Sequence, residues 1–268
     1  LLMMMIDSFP IILILFILGA IVGSFLNVVI YRVPRRMSII APRSHCFSCK
    51  TPIRLRDNIP IFGYFILDGK CKKCKEPFSI RYAVVELLTA ISTCILFFVY
   101  EISNEFIIFT ILTYCLIAIS FIDLDHFIIP NGFIILGLLG VALVYFRDYL
   151  MQDWQSGATG ALIFGGFLFL IGVVAEFILG KESIGLGDVK LGLVLGGLLG
   201  PELSILALYL SFASAGIMIM LLLAANKMDT TNKIPFGPYL SLGAFFTIIS
   251  STQSGDNFII NWYLRTMF

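Results

Sequence analysis

The 268-residue sequence contains little charge. Only 13% of its residues are Asp, Glu, Lys or Arg, against about 25% in an average soluble domain. By contrast, 59% of the residues are hydrophobic and the mean hydropathy is +0.99. A water-soluble fold of this length could not bury so much apolar surface. The composition therefore excludes a soluble globular protein and predicts a membrane protein.

The N-terminal stretch lacks the features of a cleaved signal peptide. No basic n-region precedes its apolar run, and Asp7 is acidic. The run from about Phe9 to Ile30 is longer than a signal h-region and lacks a clear small-x-small cleavage site. We therefore expect an uncleaved first membrane span.

Apolar runs divide the chain into about eight predicted helices. They lie near Phe9–Ile30, Tyr82–Tyr100, Phe106–Ile122, Gly132–Phe146, Gly157–Leu179, Val189–Leu199, Leu203–Ala225 and Phe236–Ile249. Breaks are expected at Glu101–Glu105, Arg147–Ser156 and Gly200–Glu202. The Val189–Leu199 segment is short for a bilayer, which needs about 20 helical residues. We therefore expect it to be tilted, to lie in a locally thinned bilayer or to be buried among neighbouring helices. The predicted fold is an all-α polytopic membrane protein of about eight transmembrane helices.

A polar block, residues 31–81, separates the first two spans and carries 12 of the 18 Lys and Arg residues. Basic loops stay in the cytoplasm, so this block is predicted to be cytoplasmic. Alternating the spans from there places Lys181, Lys190, Lys227 and Lys233 inside, and Arg147 and Arg265 outside. The predicted domains are a first transmembrane helix at 1–30, a cytoplasmic domain at 31–81 and a transmembrane domain at 82–268.

Four cysteines form two C-x-x-C pairs inside the polar block. These are Cys46 and Cys49, then Cys71 and Cys74, with 21 residues between the pairs. Disulfides are not expected in a reducing cytoplasm, and the paired spacing is typical of a four-thiolate zinc site. Four cysteines complete a tetrahedron, so we predict a structural zinc ion. Cys94 and Cys115 lie in apolar spans, where a thiol behaves as a small core hydrophobe.

Two aspartates stand at the edges of apolar runs. Asp123 ends the third predicted span and Asp188 begins the sixth, which places both at the cytoplasmic side. Carboxyl groups at membrane depth are costly and mark functional sites. Two of them side by side cannot both ionise, so they share a proton, which suits aspartyl hydrolysis. Asp125 points to another helix face, whereas His126 could share the face of Asp123.

An alternative function for the same acids is ion transport, in a transporter or channel. Carboxylates within membranes often belong to ion or proton pathways, and the cysteine domain could then be a regulator. A conducting path needs further charged groups, yet apart from Glu86 and Glu176 the spans contain almost none.

Gly185 and Gly187 allow a tight or extended backbone beside Asp188, although a single G-x-G-D is weak evidence by itself.

The motifs, taken in order, resemble those of the type IV prepilin peptidases, also called leader peptidase/N-methyltransferases. The matching stretches cover nearly the whole chain and are Gly23–Pro34, Arg43–Cys46 with the second cysteine pair, Asn58–Pro60, Ile80–Tyr82, Val85–Thr89, Ile122–Asp125, Gly187–Leu191 and Pro235–Pro238. So many ordered matches are far more specific than any one of them.

The resemblance implies a bifunctional enzyme of the bacterial plasma membrane. Such an enzyme cleaves the basic leader of type IV prepilins and pseudopilins at the cytoplasmic face, then methylates the new N-terminal amine with S-adenosylmethionine. By motif position the catalytic pair is Asp123 and Asp188, and Asp125 has no required role. The expected partners are these substrates and membrane lipid, whose anionic headgroups the basic block would bind; no nucleic-acid partner is expected.

The methyltransferase half has no recognisable nucleotide motif. The polar block contains no glycine-rich strand-turn-helix and is too short for a βαβ domain. By resemblance, we look for the cofactor between the zinc domain and the membrane, with Gly69 and Glu86 as candidate residues. Glu86 could equally be a helix-packing carboxyl near the interface. A narrower alternative is a peptidase that has lost methylation and keeps zinc as a scaffold.

Overall fold

The structure of the protein is a computed structural model, and it describes residues 2–54, 57–148, 154–180, 184–227, 233–252 and 256–267. Across these residues the regular elements are nine helices, with isolated β-bridges as the only strand-like pairing. The helices are α1 (Leu2–Arg32), α2 (Phe62–Ile66), α3 (Arg81–Tyr100), α4 (Asn104–His126), α5 (Asn131–Asp148), α6 (Trp154–Leu179), α7 (Leu186–Ala224), α8 (Gly237–Ile249) and α9 (Phe258–Met267). The all-α prediction is confirmed.

Within the described ranges, five helices are long and apolar enough to cross a membrane, namely those over Phe9–Arg32, Arg81–Tyr100, Asn104–His126, Trp154–Ile178 and Leu186–Ala224. Two shorter apolar helices cover Asn131–Tyr145 and Gly237–Ile249. The chain is therefore a multi-pass membrane protein. Because α7 bends sharply at Gly200, its two halves and the other six apolar helices correspond to the eight predicted spans.

The predicted break near Gly200 is a kink rather than a loop. Gly200 has φ 73° and ψ −179°, values outside the helical region, and Pro201 follows it. Proline removes one helical N–H and clashes with the preceding turn, which explains the bend. The break at Glu101–Glu105 is confirmed, since α3 ends at Tyr100 and α4 begins at Asn104. Part of the predicted break at Arg147–Ser156, like Lys181, lies outside the described residues.

Two helices were not predicted. The single turn α2 lies inside the polar block, and α9 follows the last predicted span. Asn257 caps α9, because its Oδ1 accepts the N–H groups of Ile259 and Ile260. Its Nδ2 donates to the Thr247 carbonyl at 3.2 Å, which joins α9 to the end of α8. No residue of α9 is buried.

The chain folds as two compact units. Unit 1 comprises Leu1–Ala118 and unit 2 comprises Ile119–Phe268. These units describe packing, whereas the boundaries expected after residues 30 and 81 concern membrane topology and stay predictions.

In unit 1, α1 packs closely on α3 through small residues. A Cβ atom at Gly19 would lie 2.8 Å from the Ala90 Cα, and one at Gly23 would lie 2.6 Å from the Glu86 Cα. This small-xxx-small spacing lets the two backbones approach, as is common between membrane helices. The Asn27 amide donates to the Tyr82 carbonyl at 3.0 Å. The end of α1 is thereby fixed against the start of α3.

In unit 2, α7 is the central helix and contacts α5, α6 and α8. The backbones of Gly160 on α6 and Gly196 on α7 touch, so neither position has room for a side chain. The Tyr145 hydroxyl donates to the Gly197 carbonyl at 2.8 Å. The fully buried side chains of unit 2 include Phe164, Leu168, Leu195, Leu240 and Ile248.

Candidate functional site

Asp123 is a buried carboxyl at the end of α4, and 5% of its surface is exposed. Its Oδ2 accepts the N–H of Gly237, the first residue of α8, at 2.9 Å. A Cβ atom at Gly237 would lie only 2.8 Å from that oxygen, so glycine is required for the contact. Pro238 follows and has no N–H of its own, so Gly237 supplies the donor at this helix start.

Asp188 occupies the first turn of α7, three residues after the N-cap Gly185. Its carboxyl accepts a hydrogen bond from the Gly185 backbone. This arrangement is one half of a capping box, in which an acidic side chain at the third helical position satisfies the N-cap N–H. The G-x-G-D sequence therefore holds Asp188 in place through the local geometry of a helix start.

The fold of unit 2 brings Asp123 and Asp188 together, close enough for their charges to interact. Each carboxyl accepts a backbone N–H from a glycine at a helix N-terminus. The start of α5 lies on the same side, because Lys190 of α7 donates to the Asn131 side chain at 3.4 Å. Helix N-termini carry partial positive charge, which stabilises carboxylates placed beside them. The site thus consists of two acids surrounded by helix ends.

The neighbouring ionisable residues Asp125, His126 and Glu176 are all more exposed than Asp123. Asp125 is exposed whereas Asp123 is buried, so the two side chains occupy different faces of α4. His126 is half-buried, and Glu176 on α6 is exposed. The burial of α4 thus distinguishes Asp123 from Asp125.

The four predicted zinc ligands form a cluster. Their sulfur atoms all lie within 4.8 Å of one another. Cys46 Sγ is 3.6 Å from Cys74 Sγ, and Cys49 Sγ is 3.8 Å from Cys71 Sγ. A tetrahedral ion with Zn–S bonds of about 2.3 Å would place its sulfurs about 3.8 Å apart. The four cysteines are thus positioned to hold a metal ion of zinc's size.

The two cysteine loops repeat one backbone pattern with an offset of 25 residues. The Cys46 N–H donates to the Thr51 carbonyl and the Lys50 N–H to the Cys46 carbonyl. In the second loop, the Cys71 N–H donates to the Glu76 carbonyl and the Lys75 N–H donates to the Cys71 carbonyl. The repeat is visible in the sequence as C-x-x-C-K-x-P, which occurs at Cys46–Pro52 and again at Cys71–Pro77 and extends beyond the cysteine spacing itself.

The thiols favour a bound cation. Hydrogen bonds from the side chain and backbone of Thr51 lower the pKa of Cys49 to about 6. The Glu76 backbone lowers the pKa of Cys74, but desolvation and the other three sulfurs together raise it to about 12. The fourth negative charge is therefore unfavourable without a counter-ion. A divalent metal supplies that charge and holds coordinating thiols as thiolates.

The cofactor candidate Glu86 lines a cavity in unit 1, and the candidate Gly69 lies next to one of its lining residues. The cavity has a volume of about 230 Å³, and Glu86 lines it. Gly69 does not line it but contacts Tyr64, which does, and a Cβ atom at Gly69 would lie 2.8 Å from the Tyr64 hydroxyl. The φ of Gly69 is +64°, a conformation that favours glycine.

Sequence reasoning missed two residues at these sites. The first is Gly237, which was noted in a matching motif without a role and which donates to Asp123. The second is Ile61, whose N–H donates to the Glu86 Oε2 at 2.7 Å. Gly237 lies inside the matching stretch Pro235–Pro238, and Ile61 directly follows Asn58–Pro60, but neither stretch indicates which acid the backbone N–H contacts.

Together these features define a multi-pass membrane protein with a carboxyl pair in one compact unit and a four-cysteine cluster in the other. Residues 17–100 match the Bacterial Peptidase A24 N-terminal domain, and residues 110–221 match the Type IV leader peptidase family. No solved structure matches the chain.

Curated relatives extend this similarity over most of the chain. The chain is 37% identical to the type 4 prepilin-like proteins leader peptide-processing enzyme of Escherichia coli O78:H11, over 86% of this chain and 90% of that protein. It is 32% identical to the prepilin leader peptidase/N-methyltransferase of Neisseria gonorrhoeae, over 92% and 93% of the two chains. The corresponding Pseudomonas aeruginosa protein is 31% identical, over 88% and 89%. The chain therefore belongs to the type IV leader peptidase family.

Proposed function

We propose that this protein is a bifunctional membrane enzyme that cleaves the leader of type IV prepilins and pseudopilins and then methylates the new N-terminal amine. The observation that carries the peptidase assignment is the carboxyl pair of Asp123 and Asp188, in which each acid accepts a glycine N–H. The methyltransferase assignment is supported by relatives whose names include that activity.

The carboxyl pair can hydrolyse a peptide bond when it holds one proton. The ionised carboxylate accepts a proton from water as the water oxygen attacks the scissile carbonyl carbon. The protonated acid donates a hydrogen bond to the carbonyl oxygen and so stabilises its developing charge. Collapse of the intermediate breaks the C–N bond, and the leaving amine receives the proton that the first carboxylate took.

The Gly237 and Gly185 N–H groups fix the orientation of the two acids. Each donor occupies one carboxylate oxygen, so the remaining oxygens are available for water and substrate. Backbone donors at helix starts do not reorient during a reaction, which is the basis of electrostatic preorganisation. We assign Gly237 and Gly185 the role of positioning residues for Asp123 and Asp188.

The metal is zinc and is structural, held by Cys46, Cys49, Cys71 and Cys74. Four thiolates complete a tetrahedron and leave no position for a reactive water. S-Adenosylmethionine is the methyl donor, supplying a methyl group from its sulfonium centre. The basic block at 31–81 faces the cytoplasm, and both activities act on that side of the bacterial inner membrane.

The substrate fits an acid pair at helix ends. A prepilin presents an apolar helix that can lie in the bilayer, with a basic leader in the cytoplasm and the scissile bond between them. Aspartates at the ends of membrane helices would reach that bond without removing the substrate from the membrane. The proposed domains are a first span at 1–30, a cytoplasmic metal domain at 31–81 and a peptidase domain at 82–268.

The test is a cleavage assay in lipid nanodiscs with a prepilin, read by mass spectrometry with and without S-adenosylmethionine. Asp123→Asn and Asp188→Asn should each lower cleavage by at least about 10³-fold, because each acid transfers or holds a proton. Asp125→Asn is the matched control and should cleave like the wild type. Cleavage that survives either dyad change in a folded protein would refute the assignment.

The methyl product separates the two activities. Wild type with S-adenosylmethionine should add one methyl mass to the mature N-terminus. The dyad variants should still methylate a synthetic peptide that begins at the mature N-terminus, because that peptide needs no cleavage. Cleavage without any methylation by wild type would leave a peptidase that has lost the second activity.

A further inference from the structure

Unit 2 has an apolar groove between α6 and the half of α7 that follows the kink at Gly200. The exposed side chains that line it are Leu162, Phe167, Leu170, Ile205, Tyr209 and Phe212. Gly166 also lines the groove, and a Cβ atom there would meet nothing within 4 Å. The missing side chain deepens the surface, and small residues let a second helix approach closely inside a membrane. We call this surface the α6–α7 groove.

Two contacts show the direction of the groove. A Cβ atom at Gly160 of α6 would lie 2.7 Å from the carbonyl carbon of Gly200 at the kink. Farther along α6, the ring of Phe167 lies against the ring of Phe212, with centroids 6.0 Å apart. The two helices therefore run in the same direction from the kink. Helical residues rise about 1.5 Å each, so Phe212 lies about 18 Å from the kink along α7.

Phe212 connects this end of the groove with Asp123. Its ring centroid lies 5.1 Å from that of Phe236, which directly precedes Gly237. The Gly237 N–H donates to Asp123 Oδ2 at 2.9 Å. Phe167, Phe212 and Phe236 thus form a continuous aromatic row from the groove to the backbone donor of the carboxyl pair.

Asp188 lies at the same end of the groove. The first half of α7 runs antiparallel to α6, since a Cβ atom at Gly165 would contact Leu193. A Cβ atom at Gly172, farther along α6, would lie 3.4 Å from the Cβ of Ile184. Asp188 falls between these two contacts, so it is level with the part of α6 that lines the groove. The groove therefore begins beside both acids and leads towards the kink.

This direction matches an apolar peptide helix better than a lipid chain. The substrate of the proposed peptidase carries its scissile bond at one end of an apolar helix. With that bond at the acids, the helix extends along the groove towards Gly200. Tyr209 is 70% exposed in the groove, and its hydroxyl has no hydrogen bond among the residues that the structure describes. Tyrosine hydroxyls in apolar surroundings usually have a partner, which polar groups of a peptide can supply and a lipid chain cannot.

We propose that the α6–α7 groove binds the apolar helix of the substrate and thereby positions the scissile bond at the carboxyl pair. The inference rests on the proposed peptidase function and gives that function a surface for substrate specificity. Gly166 allows the closest approach of the substrate helix, Tyr209 offers it a hydroxyl, and Phe212 contacts the residues nearest to the bond. All three are positioning residues, because proton transfer belongs to the aspartates.

The first test fills the groove. Gly166→Leu places a side chain in the open space, so the KM for a full-length prepilin in proteoliposomes should rise at least about tenfold, as expected when substrate binding is lost. Gly140→Leu on α5 is the matched control, since a Cβ atom there also meets nothing within 4 Å and Gly140 does not line the groove. It should have the wild-type KM. The thermal unfolding midpoint of each variant reports whether it is folded.

The second test is crosslinking, which requires no cleavage. Photoreactive benzoylphenylalanine replaces Tyr209 in the Asp188→Asn variant, and full-length prepilin is added in the same liposomes. Tyr209 lies about 5 Å from Phe212 along α7, so the crosslink should map to about the first three turns of the apolar helix after the scissile bond. The matched control carries benzoylphenylalanine in place of Tyr263, an exposed tyrosine of α9, and should not crosslink to prepilin.

The outcomes separate the groove from the peptidase function. A wild-type KM in folded Gly166→Leu, or crosslinks from Tyr209 to lipid alone, would show that lipid covers the groove and would overturn the proposal. Crosslinks to the basic leader would overturn it as well, because the substrate would then run in the opposite direction. If wild type cleaves no prepilin, the proposed function is refuted, whereas a crosslink from Tyr209 to the apolar helix would still support the groove.

Discussion

Unit 1 and unit 2 build their sites by different means. Unit 1 contains 12 of the 18 Lys and Arg residues, all in the polar block at 31–81, and unit 2 contains the other six over 150 residues. The unit 1 cavity is bounded by a long polar loop that contains the four-cysteine cluster. In unit 2, the carboxyl pair is positioned by helix ends and by glycines that allow close approach.

The difference indicates which perturbation should affect each unit most. A polar loop with one short helix has little apolar core, so it depends on its metal for order. Packed membrane helices have almost no free volume at their glycine contacts, so adding even one methyl group at such a glycine should disturb the packing. Metal removal should therefore act on unit 1, and small steric changes should act on unit 2.

Metal removal should have the largest effect. Chelation, or the double change Cys71→Ser with Cys74→Ser, should lower methylation by at least about 100-fold, because a structural zinc site contributes its binding free energy to folding. Cleavage should fall much less, since the dyad lies in other helices. Zinc content by mass spectrometry and limited proteolysis of the 44–78 region would follow the loss. Equal loss of both activities would indicate that the loop also positions the leader.

Gly237→Ala should be the next largest change. The added Cβ would lie 2.8 Å from Asp123 Oδ2, so the carboxyl must move. Displacing a catalytic group by about 1 Å can cost about 10²-fold in rate, and we expect a loss of that order in cleavage with methylation of a mature peptide unchanged.

The control for this change is Gly132→Ala on α5, where an added Cβ meets nothing within 4 Å. It should cleave like wild type. If Gly237→Ala also retained full activity, the positioning role of the Gly237 N–H would be wrong.

Gly196→Ala should destabilise unit 2 by about 1–3 kcal/mol, the usual cost of overpacking. Its Cβ would meet the Gly160 backbone, and the α6 and α7 helices would have to separate. Gly216→Ala on the same helix is the matched control, because its Cβ meets nothing within 4 Å. Thermal unfolding followed by loss of cleavage should show a lower midpoint for Gly196→Ala alone. Equal midpoints would show that this helix contact does not limit stability.

The smallest expected effect concerns the cysteine loops, where the substitutions should increase stability instead of lowering it. Lys50 and Lys75 have φ of 56° and 62°, a left-handed conformation that glycine adopts without steric cost. Lys50→Gly and Lys75→Gly should stabilise the metal-bound loop by up to about 1 kcal/mol. Resistance of the loop to chelator measures this, with Lys73→Gly as the control that should weaken the loop slightly. Faster metal loss in both variants would contradict the backbone argument.

Local sequence patterns predicted the elements well where those elements depend on local chemistry. Apolar runs of span length became helices, and Gly200 followed by Pro201 produced a break because proline cannot continue the hydrogen-bond ladder. The break took the form of a kink without a loop, since the helices on both sides pack on common neighbours. The short helix α9 escaped prediction because its ten residues are too few for a span and it buries none of them.

The candidate sites were predicted only in part. The spacing of Cys46, Cys49, Cys71 and Cys74 predicted a cluster, because two C-x-x-C loops have the spacing typical of a four-thiolate site. Asp123 and Asp188 were predicted as functional residues because placing a charged group in a membrane costs free energy. The lining of the unit 1 cavity could not be predicted, since its aromatic residues are scattered over more than 50 positions and come together only when α1, the polar loop and α3 pack.

The sequence by itself determined that this protein spans the membrane, which cysteines can hold a metal and which aspartates are exceptional, because composition, spacing and burial cost are properties of local segments. Only the tertiary structure decided which backbone groups meet the acids. The Gly237 N–H reaches Asp123 across 114 residues, and the Ile61 N–H reaches Glu86 across 25. Nothing local to Asp123 or Glu86 encodes these partners, because a helix start can donate to any acid that packing places in front of it.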